Sequence, residues 1–373
     1  IYGHYDVQPV DPIELWKSPP FEPEVRDGKI YARGANDNKG QNFIHLKSVE
    51  AFYKINGELP CNIKFILEGE EEIGSSNLYS FLKEQKELLK CDAVLISDTS
   101  MYAAGVPTIS YGLRGLTYME LEVTGPNRDL HSGSFGGSVA NPINELARII
   151  SKLQDENGKI KIPGFYDEVI KATKNEKENI KTLNFSDKKY AKDLGVKELF
   201  GEKGYSTLER LWSRPTLDCN GIIGGFTEKG AKTVLPSKAS AKISMRLVPN
   251  QTPDKIAKLF EKYVKSIAPK NVQVKVTSLH GGFPVMIPIE NEVMRIAANA
   301  VAKAFKKKAV FTREGGSIPI VVEFAKQLNA PTVLMGFGLD SDDIHSPNEH
   351  FRIENFQKGL LSSAYFLNDF ANK

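Results

Sequence analysis

Several acidic and imidazole side chains in this 373-residue chain share one kind of place in the sequence. His4, with Asp6 two residues on, ends a short apolar run. Asp37 sits in the turn Arg33-Gly34-Ala35-Asn36-Asp37-Asn38-Lys39-Gly40. The acidic run Glu70, Glu71, Glu72 follows a strand candidate, as does Asp98, and His345 lies in the loop after another. In open parallel sheets ligands bind outside the carboxyl ends of the strands, so oxygen and imidazole donors at such ends are what a metal site needs. A His, Asp, Glu, Asp, His set suits Zn²⁺, Mn²⁺ or Co²⁺, because imidazole argues against a pure Ca²⁺ or Mg²⁺ cage. Five ligands are too many for one tetrahedral ion with an open position. They suit two ions if one carboxylate bridges, with a bridging hydroxide neutralising the remaining charge. Such pairs lie about 3.5–4 Å apart and make water a nucleophile at neutral pH. Each piece is weak by itself: a lone histidine is more often packed or on the surface, and a Gly-rich turn is usually just a turn. Their joint order is the signal.

Those residues need a frame that points them at one place. Short apolar strand candidates at 62–68, 93–97 and 331–337 alternate with helical stretches at 41–55, 76–89, 292–306, 320–327 and 354–370. That alternation predicts an α/β domain with a largely parallel sheet. The middle of the chain differs. Segments 117–123, 239–248 and 272–277 alternate apolar and polar residues, with helices expected at 141–153 and 253–268. One-sided strands in that order predict a small antiparallel sheet backed by helices. The Lys/Glu-rich stretch 155–214 is expected to be helical and to elaborate it. The expected architecture is a discontinuous catalytic domain, 1–115 plus 284–373, interrupted by an inserted α+β domain at 116–283.

Composition bounds the rest. At 41% hydrophobic and 25% charged residues the chain can bury a globular core. No apolar run approaches the roughly 18–20 residues of a membrane span. Basic and acidic residues nearly balance, 49 against 46, and the lysines are spread out, so neither nucleic acid nor a membrane is an expected partner. Cys61, Cys91 and Cys219 form no C-x-x-C, so they make neither a disulfide framework nor a thiolate zinc site; reduced thiols in a cytoplasmic protein are expected. Residues 1–7 read as the end of a buried strand, and the natural protein is expected to continue upstream, where any targeting signal would lie.

Together the motifs resemble the carnosine dipeptidase and cytosolic non-specific dipeptidase family of two-zinc metallopeptidases, whose relatives include aminoacylase, acetylornithine deacetylase and carboxypeptidase G. The residues that carry the resemblance are Gly3-His4-Tyr5-Asp6-Val7-Gln8-Pro9, the turn around Asp37, Glu68-Gly69-Glu70-Glu71-Glu72-Ile73-Gly74-Ser75 and Ser97-Asp98. Tyr111-Gly112-Leu113-Arg114-Gly115, Asp129-Leu130-His131-Ser132-Gly133, Arg246-Leu247-Val248-Pro249, Arg313-Glu314-Gly315-Gly316-Ser317 and His345-Ser346-Pro347-Asn348-Glu349 extend it over nearly the whole chain.

The resemblance implies roles. Asp37 would bridge two metal ions per subunit, Zn²⁺ or Mn²⁺, with His4 and Asp98 completing one site and Glu72 and His345 the other. Glu71 would be the general base that takes a proton from the attacking water and passes it to the leaving amine. Asp6, on the same strand face as His4, would orient its imidazole. A cis peptide after Asp37 is implied as well. Glu70 has no matched role and is expected in solvent; His45 and His350 are expected to serve packing or the surface. The inserted domain, expected to be ferredoxin-like, would act as a lid and pair two subunits into a homodimer. Its His131 would stabilise the oxyanion. Arg246, with Thr233, His280, Gly316 and Ser317, would hold the C-terminal carboxylate of a dipeptide substrate. The function so implied is metal-dependent dipeptide hydrolysis. The alternatives are an N-acyl amino acid deacylase or a carboxypeptidase of the same superfamily, and a non-catalytic peptide-binding protein on the same fold. The last would be expected to have lost Glu71 or a ligand, and both are present.

Overall fold

The strands Tyr2–His4, Val94–Ile96 and Thr332–Leu334 are buried along their whole length. Strands covered on both faces read as continuous apolar runs, which is why their sequences do not alternate. Ile66–Glu68, Tyr2–His4, Val94–Ile96 and Thr332–Leu334 lie side by side in that order, all parallel. Thr108–Leu113 follows antiparallel, and Val285–Met286 and Val310–Glu314 pair with it, giving seven strands among the described residues. The computed structural model describes residues 1–316, 318 and 320–373.

The chain folds into two compact units, Ile1–Gly112 with Met286–Glu314 and Ile318–Lys373, and Leu113–Val285 with Gly315–Ser317. In the first unit the helix Lys39–Asn56 packs on Ile353–Ala371, which also packs on Glu292–Phe305. Gly359 permits that approach: a Cβ there would lie 2.6 Å from Ile44 Cδ1. A second group joins Ile320–Leu328 to Ser76–Glu84 and Lys86–Leu89. The carboxyl ends of the parallel strands open into the segments that carry His4, Glu71, Glu72 and Asp98.

The second unit is built on four antiparallel strands ordered Gln273–Gly282, Gly115–Thr124, Lys238–Leu247, Thr216–Gly224. Pro142–Ser151 and Pro253–Ile267 pack against the sheet. The chain order of strand, helix, two strands, helix, strand is the ferredoxin-like arrangement. Gly115–Thr124 alternates buried and half-buried residues along its whole length, and Leu121, Val123, Ile243, Leu247 and Phe260 fill the core beneath.

The departures from expectation are local. The helix expected at 76–89 breaks at Gln85 into two. The strands expected at 62–68 and 331–337 pair only at Ile66–Glu68 and Thr332–Leu334. Thr108–Leu113, Thr216–Gly224 and Val310–Glu314 were not expected as strands, because Asp218, Asn220 and Gly221 in one, and Arg313 and Glu314 in another, interrupt any β pattern. The stretch 155–214 is helical only at Lys174–Thr182, Asp187–Asp193 and Thr207–Trp212. No helix among the described residues is long and apolar enough to cross a membrane.

Candidate metal centre

Strand direction sets the first ligand candidates. His4 closes its strand, Asp98 follows Val94–Ile96 by two residues, and Glu71 and Glu72 follow Ile66–Glu68. Asp37 is delivered from the turn before the helix Lys39–Asn56, across a cis peptide to Asn38. Its two oxygens face opposite ways. Oδ1 lies 3.0 Å from His4 Nε2, and Oδ2 lies 2.7 Å from His345 Nε2. Asp98 Oδ1 stands 3.6 Å from His4 Nε2, and Glu72 Oε2 stands 3.4 Å from His345 Nε2. The result is two donor triads, His4–Asp37–Asp98 and Asp37–Glu72–His345, that share one carboxylate.

The donors fit divalent cations. His4 Nδ1 faces only acceptors, the Asp6 carbonyl at 3.1 Å and its Oδ1 at 3.2 Å, so Nδ1 carries a hydrogen and Nε2 is the ring atom turned to the triad. Asp6 Oδ2 accepts from the Glu72 amide at 3.0 Å, tying the two triads together. Glu72 Oε1 is buried without a hydrogen-bond partner, an atom for which a cation is the natural complement. Asn38 donates to Asp98 Oδ1 at 2.8 Å and to the Ser97 carbonyl at 2.6 Å. The electrostatics agree. Burial favours neutral His4, yet its hydrogen bonds to Asp37 and Asp98 outweigh it and push the imidazole up to about 12. Hydrogen bonds to Asp37 and then Glu72 push His345 up to about 10. A site that draws protons so strongly offers a divalent cation the same field, and the cation must displace those protons to bind.

Each glutamate of 68–72 has a separate task. Glu68 Oε1 accepts from Tyr2 Oη at 2.6 Å and Ser75 Oγ at 2.8 Å. Glu70, expected in solvent, accepts in exposed hydrogen bonds from the Asn77 amide at 3.1 Å and its Nδ2 at 2.6 Å, pinning the start of the helix Ser76–Glu84. Glu71 is half-buried. Burial first, then the charges of Asp98, Glu72 and Asp37 against the opposing His4, push its carboxyl up to about 9.

The packing role expected for His45 is what its full burial shows, and its bonds run beside this centre. Ser97 Oγ donates to the Met335 carbonyl at 2.5 Å, so it accepts from His45 Nε2 at 2.8 Å, and His45 Nδ1 accepts from Ser363 Oγ at 2.9 Å. His45 thereby holds Ser97, the neighbour of Asp98. Burial pulls the His45 imidazole from 6.5 down to about 3. Between those values the unfolded chain binds a proton that the folded chain refuses. Stability from this group is complete above pH 6.5 and falls as pH drops, up to tenfold in the folding equilibrium per pH unit. Denaturant midpoints for chelator-treated wild type and His45→Gln, taken from pH 6.5 to 5, should show a slope steeper by up to one proton in wild type. Parallel slopes would mean that His45 titrates normally.

The remaining candidates lie in the second unit. His131 and Thr233 come together: strands Leu130–His131 and Val234–Leu235 pair antiparallel, and Thr233 Oγ1 reaches His131 Nε2 at 3.5 Å. Arg246 is half-buried on Lys238–Leu247 beside Arg114 and Asp218. Burial lowers its guanidinium from the usual value, with Asp218 opposing. Burial and then the Arg246 charge draw Arg114 down to about 10. Arg114 binds the Gly-rich turn, its amide to the Gly316 carbonyl at 3.1 Å and its Nε to the Gly315 carbonyl at 3.0 Å. His280 stacks on Tyr118 at 5.1 Å between ring centres. Ser317 lies outside the described residues.

Comparison with known proteins follows this geometry. The family described as Peptidase family M20/M25/M40 matches residues 1–369. The Cys-Gly metallodipeptidase dug1 of Schizosaccharomyces pombe is 33% identical, covering 100% of this chain and 79% of that protein. The crystal structure of human carnosine dipeptidase 1 superposes with a TM-score of 0.89 at 33% identity, over 100% of this chain and 79% of that one. The M20 family metallo-carboxypeptidase Sso-CP2 from Sulfolobus solfataricus gives 0.89 at 35% identity, over 100% and 84%. The match runs through every segment that brings the two triads together, and the chain belongs to peptidase family M20/M25/M40.

Proposed function

We propose that this chain is a metal-dependent dipeptidase, and the observation that carries the reading is the Asp37 carboxylate shared by two donor triads. The metallopeptidase family implies divalent ions. Two per subunit, Zn²⁺ or Mn²⁺, are what His4, Asp37 and Asp98 on one side and Asp37, Glu72 and His345 on the other would hold. When bound they supply activation of water and polarisation of the scissile carbonyl. The chain does the rest. Asp6 keeps the His4 ring turned by accepting from Nδ1. Glu71 takes the proton of the attacking water on its carboxylate and delivers it to the amine nitrogen as the peptide bond breaks. His131 donates to the developing oxyanion, with Thr233 beside its ring. Arg246, the Gly316 turn and His280 grip the substrate's C-terminal carboxylate.

Two copies would pair through the second unit. Its strand Thr216–Gly224 lies at a sheet edge with Ile222 60% and Ile223 70% exposed, the kind of edge a second copy covers. The three free thiols suit a reducing, cytoplasmic compartment. A carboxypeptidase is the second reading, because Sso-CP2 is as similar as the dipeptidases.

A panel of free dipeptides, N-acyl amino acids and longer peptides, assayed with Mn²⁺ or Zn²⁺ and after chelation, tests the proposal. Free dipeptides should be cleaved fastest, and chelation should abolish cleavage reversibly. Preference for longer peptides would favour the carboxypeptidase, and preference for N-acyl amino acids a deacylase. C-terminal amidation should cost about 1.5–3 kcal/mol in kcat/KM, the worth of a charge-assisted hydrogen bond. Equal rates for amidated and free dipeptides would count against Arg246 as the carboxylate grip.

A further inference from the structure

Glu349 is fully buried and reaches 316 residues back along the chain to Arg33. Its Oε2 accepts from Arg33 Nη1 at 2.8 Å and the Gly34 amide at 3.0 Å. Its Oε1 accepts from the Asn36 and Asp37 amides, each at 3.0 Å. Backbone N–H groups that converge in this way form an anion site, and here the chain's own carboxylate fills it. The loop that ends in Glu349 also carries His345 and Asp342. Asp342 Oδ2 accepts from Asn36 Nδ2 at 3.1 Å and from the Leu339 amide at 3.1 Å. Gln41 Nε2 holds Asn36 Oδ1 at 3.2 Å. One loop therefore supplies His345 directly and fixes Asp37 through its peptide N–H.

We propose that Glu349 is a positioning residue of the metal centre, setting Asp37, ahead of any ion, at the spacing from His345 that a shared carboxylate needs. The proposal rests on the metal-dependent reading above and deepens it. A carboxylate is required because both oxygens face two donors. Glutamine has the same shape, yet either orientation of its amide sets NH₂ against two N–H groups. The orientation that keeps oxygen on the Arg33 charge turns NH₂ on the Asn36 and Asp37 amides, and so displaces Asp37.

Equilibrium dialysis with Mn²⁺ after chelation should find Glu349→Gln weakened about 10–100-fold against wild type, the usual effect of losing a group that orients a ligand. The Mn²⁺ concentration for half-activation should rise by the same factor, while kcat at saturating Mn²⁺ falls much less. Phe260→Leu, a core change in the second unit, controls for general destabilisation and should leave Mn²⁺ affinity unchanged; an equal loss there would overturn the proposal. Hydrogen exchange on wild type tests the same point without a variant. The Asn36 and Asp37 amides should be as protected after chelation as with Mn²⁺ bound, and rapid exchange after chelation would overturn the proposal. The two readings fail separately. Wild type that binds no Mn²⁺ or Zn²⁺ defeats the metal-dependent function, whereas wild type that binds and Glu349→Gln that binds within about twofold defeats this role alone.

Discussion

Glu71→Gln protein should bind divalent metal as wild type does and lose at least about 10²-fold in kcat, the cost of a missing general base. The two adjacent glutamates make the contrast sharp. Glu72 Oε2 lies near His345 and accepts from Gln8 Nε2 at 2.7 Å, whereas Glu71 feels Asp98, Glu72 and Asp37 through space. A carboxyl raised by burial and like charges is poised to hold a proton, and cations bound among those carboxylates oppose the push. Glutamine keeps the shape and removes the proton site. Glu72→Gln should behave the other way, releasing metal from one triad. Elemental analysis beside steady-state kinetics checks both. If Glu71→Gln lost metal while Glu72→Gln kept it, the roles would be exchanged.

Mixing two inactive proteins, His131→Ala and Glu71→Gln, should restore activity if the proposed dimer places each His131 at its partner's centre. His131→Ala alone should keep metal and lose about 10²–10³-fold in kcat, as for one missing oxyanion donor. In a heterodimer of the two variants, exchange across the two-fold axis leaves one centre with both lesions and the other with neither. Activity should then approach about half that of wild type per heterodimer. A residue acting within its own chain leaves every centre broken. Confirmed subunit exchange with no activity would show that His131 works in its own chain or not at all.

The sequence displays what depends on local pattern and hides what depends on distant partners. Continuous apolar runs announced the buried parallel strands, and strict alternation announced Gly115–Thr124 and Lys238–Leu247. Thr216–Gly224 escaped because an edge strand with an exposed outer row faces little demand for alternation, and Asp218, Cys219, Asn220 and Gly221 fill that freedom. The position of acids and histidines at strand ends was readable along the chain. Their separations were not, since each depends on the register between strands. His45 and Glu349 looked unremarkable because their partners Ser363 and Arg33 lie 318 and 316 residues away. The bonds of Glu70 to Asn77 stay hidden for a different reason: they need the turn at Gly74, where φ is +97°, to bring seven residues back on themselves.

The four glutamates between Ile66 and Asn77 make the chain's tolerance of length changes uneven. Each one is defined by what it meets: Tyr2 and Ser75 for Glu68, Asn77 for Glu70, the carboxylate field for Glu71, His345 for Glu72. Inserting a single residue after Ile66 would leave the composition almost untouched yet put Leu67 where Glu68 meets Tyr2 and Ser75, and Gly69 where Glu70 meets Asn77. A segment such as Lys174–Thr182, with no buried residue and a capping box that travels with it, faces no such constraint. Length variation among relatives of this chain should therefore gather in the second unit's Lys/Glu-rich stretch and stop short of Glu68.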